Sequence, residues 1–232
     1  MASVAPTVEF DLDRISLREL NQFLHHELGS GDHVEITHPN GRHSIAVGLD
    51  ADVDVQIRGH AGYYVAAMNK RAHVTVHGNV GWGVAENIMS GVVRVKGNAS
   101  ASAASSGRGG LVIIEGDAAS RCGISMKGCD IVVGGNVGHV SGFMGQLGRL
   151  VVCGDAGAGL GDSLYEAVIY VRGQIASLGA DAREEPLSKS DISALVELLD
   201  QAGFAHEPSE FKRIASSRTL YHWNAAHLGS YG

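Results

Sequence analysis

Seven glycines, Gly59, Gly78, Gly97, Gly116, Gly135, Gly154 and Gly173, follow one another at intervals of 19 residues without a slip. A period of this length marks a solenoid, in which each repeat is one coil that buries its apolar face by stacking on its neighbours. Each glycine closes the same phrase, as in Val55-Gln-Ile57-Arg-Gly59, Val74-Thr-Val76-His-Gly78 and Ile169-Tyr-Val171-Arg-Gly173. Two residues before the glycines stand Ile57, Val76, Val95, Ile114, Val133, Val152 and Val171, and two further back Val55, Val74, Val93, Val112, Ile131, Leu150 and Ile169. Apolar, mostly β-branched residues at period two read as a strand with one face on a core. The residue directly before the glycine is mostly polar (Arg58, His77, Lys96, Glu115, Arg172) and so points outward. After the glycine come His60, Asn79, Asn98, Asp117, Asn136, Asp155 and Gln174, which predict a turn with glycine at positive φ and a ladder of Asn and Asp side chains.

Small residues recur three and seven positions beyond each glycine, for example Gly81 and Ala85, or Gly138 and Gly142, and let the coil bend tightly. A further column thirteen beyond (Ala72, Gly91, Gly110, Cys129, Gly148, Ala167) marks another corner before the next strand. With two or three short strands per coil and no helix pattern between them, the fold expected is an all-β solenoid, a single-stranded right-handed parallel β-helix. Strands stacked ~4.8 Å apart make a rod of roughly 30 Å. A left-handed hexapeptide helix needs an apolar residue every sixth position, and six beyond the apolar Val80, Ala99 and Ala156 stand Glu86, Ser105 and Asp162.

Open coil ends invite aggregation and need covers. Residues 1–44 form an N-terminal segment with a capping helix over 17–28, where Ser16-Leu-Arg-Glu19 is a capping box and Leu17, Leu20, Phe23, Leu24 and Leu28 give an apolar face. The β-helix spans 45–180. Residues 181–232 form a helical tail: Ser188 or Ser190 precedes a helix with Ile192, Leu195, Val196 and Leu199 that ends near Gly203, and a shorter helical piece lies around Phe211 and Ile214. An aromatic, histidine-rich stretch, Tyr221 to Gly232, follows. Three residues before the glycines the outward side chain runs Gln56, Thr75, Arg94, then Ile113, Val132, Val151 and Tyr170. This change from polar to apolar calls for a cover, supplied by the C-terminal helix or by a partner subunit.

The glycine-rich stretches Gly157-Ala-Gly159-Leu-Gly161 and Gly78-Asn-Val-Gly81-Trp-Gly83 fall on repeat corners, not between a strand and a helix as a dinucleotide loop requires. The formal charge of −7 argues against nucleic acid. The absence of a long apolar run and of a signal-peptide h-region points to the cytoplasm. Cys122, Cys129 and Cys153 lack metal-like spacing and read as reduced fillers. His25 and His26 are neighbours on a helix and do not converge on one ion. Lys70, Arg108 and Lys127 share the position eleven beyond the glycine, either as a solvated corner or as a groove for an anionic ligand or an acidic partner.

The phrase Gly-x-x-Gly-x-x-x-Gly, seen as Gly135-Asn-Val-Gly138-His-Val-Ser-Gly142 and Gly154-Asp-Ala-Gly157-Ala-Gly-Leu-Gly161, resembles the repeat of the C-terminal domain of the glutamate synthase large subunit. The same domain type occurs in one of the subunits of formylmethanofuran dehydrogenase. Stretches such as RGHAGYYVAAMNK and GWGVAENIMSGVVRVKGNAS, with FDLDRISLRELNQFLHHEL before and LYHW after, are similar to the family of free-standing solenoid subunits of N-methylglutamate synthase (methylamine-glutamate N-methyltransferase). That enzyme makes N-methylglutamate and ammonia from methylamine and glutamate. The resemblance implies a non-catalytic subunit in a hetero-oligomer. A glutamine-amidotransferase-like subunit and an FMN-dependent, iron-sulfur-binding glutamate-synthase-like subunit would then hold the cofactors, and this chain would join them and shape an ammonia or amine channel.

On that reading no catalytic, cofactor or metal residue is expected in this chain. The candidates for an interface or channel wall are Tyr63, Tyr64, Asn69 and Lys70, then Trp82, Glu86 and Asn87, then Arg121, Ser125 and Lys127, all bulky or polar amid small corner residues. Service in another glutamate-synthase-like or formylmethanofuran-dehydrogenase-like complex shares this fold. A self-sufficient carbohydrate-active β-helix enzyme is the alternative of a different class.

Overall fold

The computed structural model describes residues 7–218, so the aromatic stretch from Tyr221 to Gly232 lies outside the described residues. Strands β1 (Thr7–Asp11), β2 (His33–Thr37), β3 (Asp54–Arg58), β4 (His73–Val76), β5 (Val92–Val95), β6 (Leu111–Ile114), β7 (Lys127–Val133), β8 (Leu147–Val152) and β9 (Val168–Val171) stack in parallel, in chain order. The register is the one the glycines dictate: Val55, Val74, Val93, Val112, Ile131, Leu150 and Ile169 are direct partners in succession. A second column of parallel bridges runs through Ala61, Val80, Ala99, Ala118, Val137, Ala156 and Ile175. Among the described residues the chain is a parallel β-solenoid of about seven coils with two α-helices.

The stack reaches further toward the N-terminus than the glycine spacing marks. Strand β2 pairs with β3 at an offset of 21 residues, Val34 against Val55, so it carries an apolar strand but not the 19-residue beat. Helix α1 (Leu17–His26) follows β1 and covers this end, with both halves of the Ser16–Glu19 capping box formed. Leu20 and Leu24 enter the coil core, and Phe23 meets Phe10 edge-on at 4.8 Å. Asn21 fixes the helix on the first coil, donating to the Ser44 carbonyl and accepting from the Ala46 amide.

The other end is closed by strands. After β9 come β10 (Ala182–Glu185), helix α2 (Lys189–Ala202), a 3₁₀ turn (Pro208–Glu210) and β11 (Lys212–Ser216). Strand β11 pairs antiparallel with β9, Ile214 against Ile169, and β10 adds beyond it. The helical piece expected around Phe211 and Ile214 is therefore a short turn followed by a strand. The last coil presents a row of unpaired amides and carbonyls, which a strand satisfies and a helix does not.

Helix α2 instead lies on the outer sheet face and covers the apolar stripe. Ile113, Val132, Val151 and Tyr170 are buried against Leu195, Leu198, Leu199 and Ala202 in a cluster separate from the coil interior. Ser188 is the N-cap with a full capping box to Asp191, and Gly203 takes the left-handed conformation that ends the helix. The buried face is not quite the one the sequence pattern suggests, since Ile192 and Val196 point away from the sheet and are exposed. No helix among the described residues is long and apolar enough to cross a membrane.

The repeat glycines recur along the rod for a reason other than positive φ. Gly59 alone of the seven has it. At Gly154 a Cβ would lie 2.5 Å from the Asn136 Oδ1 and 2.7 Å from the Gly135 backbone, so only a residue without a side chain fits beneath the ladder. The ladder itself forms as expected. The amides of Asn98, Asp117, Asn136, Asp155 and Gln174 donate to the side-chain oxygens of Asn79, Asn98, Asp117, Asn136 and Asp155, at 2.7–2.8 Å.

Candidate functional site

Each coil has a strand side, a ladder corner and a third side built of consecutive turns. On that turn side the residues five, seven and nine beyond the repeat glycine take positive φ, as at Tyr64, Ala66 and Met68, or Arg121, Gly123 and Ser125. The alternation directs amides to opposite neighbours: Tyr64 donates to Trp82 of the next coil, whereas Ala66 donates to Ile45 of the preceding one. The residues six and seven beyond face inward, as Val65 and Ala66 do, while Tyr64, Met68 and Arg121, at positions five and nine, project outward. A left-handed conformation is unfavourable for side chains such as Tyr64 and Arg121, so the stacked backbone bonds must hold it in place.

The outward residues of the first two coils are large and apolar. Tyr63, Tyr64, Met68, Trp82 and Met89 are 43–48% exposed. Tyr63 stacks on His43 with ring centroids 4.3 Å apart, and its amide donates to His43 Nδ1 at 2.9 Å. Trp82 continues the row at 6.5 Å from Tyr63. Glu86 and Asn87 are half-buried beside it, with the Glu86 carbonyl accepting the Met68 amide. On later coils Arg121 is exposed and Ser125 is half-exposed on the same side, and Lys127 is half-exposed at the start of β7, where that side meets the sheet.

Two candidates separate from this group. Asn69 is fully buried at a corner, where its Nδ2 donates to the carbonyls of Ala72 (2.9 Å) and Ser90 (3.0 Å) and its Oδ1 has no partner. Lys70 turns to Asp50, 2.8 Å away, which also pairs with Arg71. His43, Met68 and Met89 join the row without having been expected there. His43 precedes the regular beat, its ring meeting Tyr63 at an offset of 20 residues, and the methionines look like core until the positive φ at Met68 turns it outward.

Other groups with chemical potential are committed to structure. Burial pushes the Cys122 and Cys129 thiols up to about 12 and the Cys153 thiol up to about 11, which keeps all three protonated and unreactive. Asp11, Asp13 and His38 bring three ligand-type atoms within 4.8 Å of one another. Arg14 lies 3.3 Å from Asp11 and Arg42 lies 3.9 Å from Asp13, so these carboxylates already face cations on an exposed surface. At the α2 N-terminus Tyr170, Ser188 and Arg213 surround Asp191 and lock the helix to the rod.

No family model matches the chain. The chain is 53% identical over 224 residues to Protein GlxC of Rhizobium meliloti (strain 1021), a match spanning 95% of this chain and 98% of that protein. Identity at this level over nearly the whole of both chains shows that the chain belongs to the GlxC family.

Proposed function

We propose that the chain is a non-catalytic solenoid subunit of a glutamate-synthase-like hetero-oligomer, most specifically one that makes N-methylglutamate and ammonia from methylamine and glutamate. The observation that carries this reading is the division of the rod's surface. The apolar stripe of its sheet side is covered by α2, while its turn side exposes an aromatic and methionine row on a rigid stack. Such a row on an otherwise satisfied surface fits a lasting protein contact. The Gly-x-x-Gly-x-x-x-Gly repeats and the near full-length kinship to GlxC support the same assignment.

In this assembly the amidotransferase-like subunit and the synthase-like subunit supply the reacting groups, with FMN and the iron-sulfur cluster on the latter. The rod holds the two at fixed separation. Its interior is filled by stacked residues such as Val55, Val74, Val93 and Val112, all essentially inaccessible to solvent. An amine or ammonia route shaped by this chain therefore runs along its surface and not down its axis.

The test is to co-express a tagged copy with the amidotransferase-like and synthase-like chains of the same genome. A stoichiometric complex carrying bound flavin and forming N-methylglutamate from methylamine and glutamate is the expected result. Recovery of the chain alone and colourless under gentle conditions would overturn the proposal.

A further inference from the structure

We infer that the turn side of the third to fifth coils is an electrostatic docking strip for a carboxylate-bearing segment of a different polypeptide, with the exposed aromatic row as its apolar anchor. This rests on the subunit reading above and assigns the face and the chemistry of the contact. The chain is acidic overall, with a net charge of −7. Yet the turn-side segments 101–108, 120–127 and 139–146 contain no Asp or Glu, and they carry Arg108, Arg121 and Lys127. Most other arginines have carboxylate partners, among them Arg58 with Glu35, Arg94 with Glu115, Arg149 with Asp130 and Arg172 with Glu210. Among the described residues, no carboxylate lies within ion-pair distance of Arg108, Arg121 or Lys127.

These cations continue the apolar row. Met89 and Arg108 occupy the same position of successive coils, eleven beyond Gly78 and Gly97, and Lys127 follows one coil on. Tyr64 and Arg121 likewise share the column five beyond the glycine. An apolar end joined to a cationic end makes a strip that matches an acidic segment bearing aliphatic or aromatic side chains. Uncommitted cations of this kind steer association and select partners more than they add affinity. A second copy of this chain is the wrong occupant, because in a two-fold contact through these segments the cations would meet a surface that carries no Asp or Glu. A polynucleotide fits poorly as well, since three cations beside a methionine-bearing apolar row neutralise few phosphates.

The experiment uses the co-expressed complex with the amidotransferase-like and synthase-like chains. Hydrogen exchange is compared for the rod alone and in the complex, and affinity is measured for the triple variant Arg108→Glu, Arg121→Glu, Lys127→Glu against Arg18→Glu, an exposed control on α1. The expected result is protection of segments 101–108 and 120–127 on assembly. Weakening of roughly tenfold or more is expected for the triple variant alone, together with binding that falls as salt is raised. Exchange on the wild-type complex keeps the inference testable should the triple variant fold poorly. If the complex forms but these segments are unprotected and the folded triple variant binds normally, the inference falls and the subunit reading stands. Salt-sensitive binding of a single-stranded DNA probe, or self-association abolished by the triple variant, would also overturn it. Failure of the wild-type chains to assemble overturns both.

Discussion

The hydroxyl of Tyr170 donates a 2.6 Å hydrogen bond to the Asp191 carboxylate, tying the first turn of α2 to the last coil of the rod. Four coils away in the same outward column, Arg94 donates to the carbonyls of Gln201 and Ala202 at the helix's other end. Four strand steps span about 19 Å. A helix of 14 residues spans about 21 Å, so one column of the rod fits the helix from cap to cap. The guanidinium also sits where the helix dipole is negative.

Asp191 makes α2 docking sensitive to acid. Burial pushes its carboxyl up, but the Ser188 hydroxyl, Tyr170, the Ser188 amide and the Arg213 charge outweigh this and hold it at about 2. A carboxyl with a depressed folded value stabilises fully above its unfolded value near ~4, and that contribution is lost as pH falls toward 2. The shift is worth about 2 kcal/mol. Urea unfolding of the wild type should therefore lose stability between pH 4 and 2 more steeply than Asp191→Asn does. Equal slopes would show that Asp191 does not carry the effect. Tyr170→Phe should cost about 2 kcal/mol at neutral pH, as for a lost bond to a charged group.

Because α2 buries a face separate from the coil core, it should undock before the rod unravels. Cys153 lies beneath it with Leu195 and Leu199, whereas Cys122 and Cys129 are inside the coils. Leu199→Ala, a loss of about 2–4 kcal/mol of packing on α2, should speed thiol labelling at Cys153 while leaving the other two protected. Labelling read by mass spectrometry checks this, and parallel acceleration at all three cysteines would mean that helix and rod open together.

How much of this is legible in the chain depends on whether the cause is periodic. The strand columns, the side-chain ladder and the apolar stripe at Ile113, Val132 and Val151 follow from stacking identical positions, which a sequence displays directly. The role of the glycines is not, because a clash with the preceding coil and a positive φ leave the same residue in the sequence. Strand β11 is hidden because one short antiparallel strand inserted between β9 and β10 has no repeat to announce it. The exposure of Tyr64 and Met68 depends on left-handed backbone that composition does not encode. The aromatic row is therefore visible only in part, without Met68, Met89 or His43.

The ladder offers a direct test of why glycine closes each phrase. Gly154→Ala should destabilise by about 2 kcal/mol or more through overpacking against Asn136 and Gly135, with no contribution from φ. Asn136→Gly alone should cost about 1 kcal/mol, because the Asp155 amide loses its acceptor. Combined, the two should cost less than their sum, since removing the Asn136 side chain relieves part of the clash. Additive costs in a denaturation double-mutant cycle would place the strain on the backbone alone.

Asn69 supplies the sharpest test of the buried corner. Its Nδ2 faces two carbonyls, so Asn69→Asp sets a carboxylate oxygen where a donor is required. In a site closed to solvent the charge is further penalised, and a loss of about 3 kcal/mol or more is expected at neutral pH. The same environment raises the folded value of the new carboxyl above its unfolded one. The penalty is therefore greatest above that raised value and shrinks as pH falls through it, because the protonated acid donates to one of the carbonyls. Relative to wild type, the variant should recover stability between neutral pH and pH 4, the opposite of the trend Asp191 imposes below it. A variant whose deficit stays constant over that range would show that the corner opens to water, so that Asn69 acts through size and not through its two bonds.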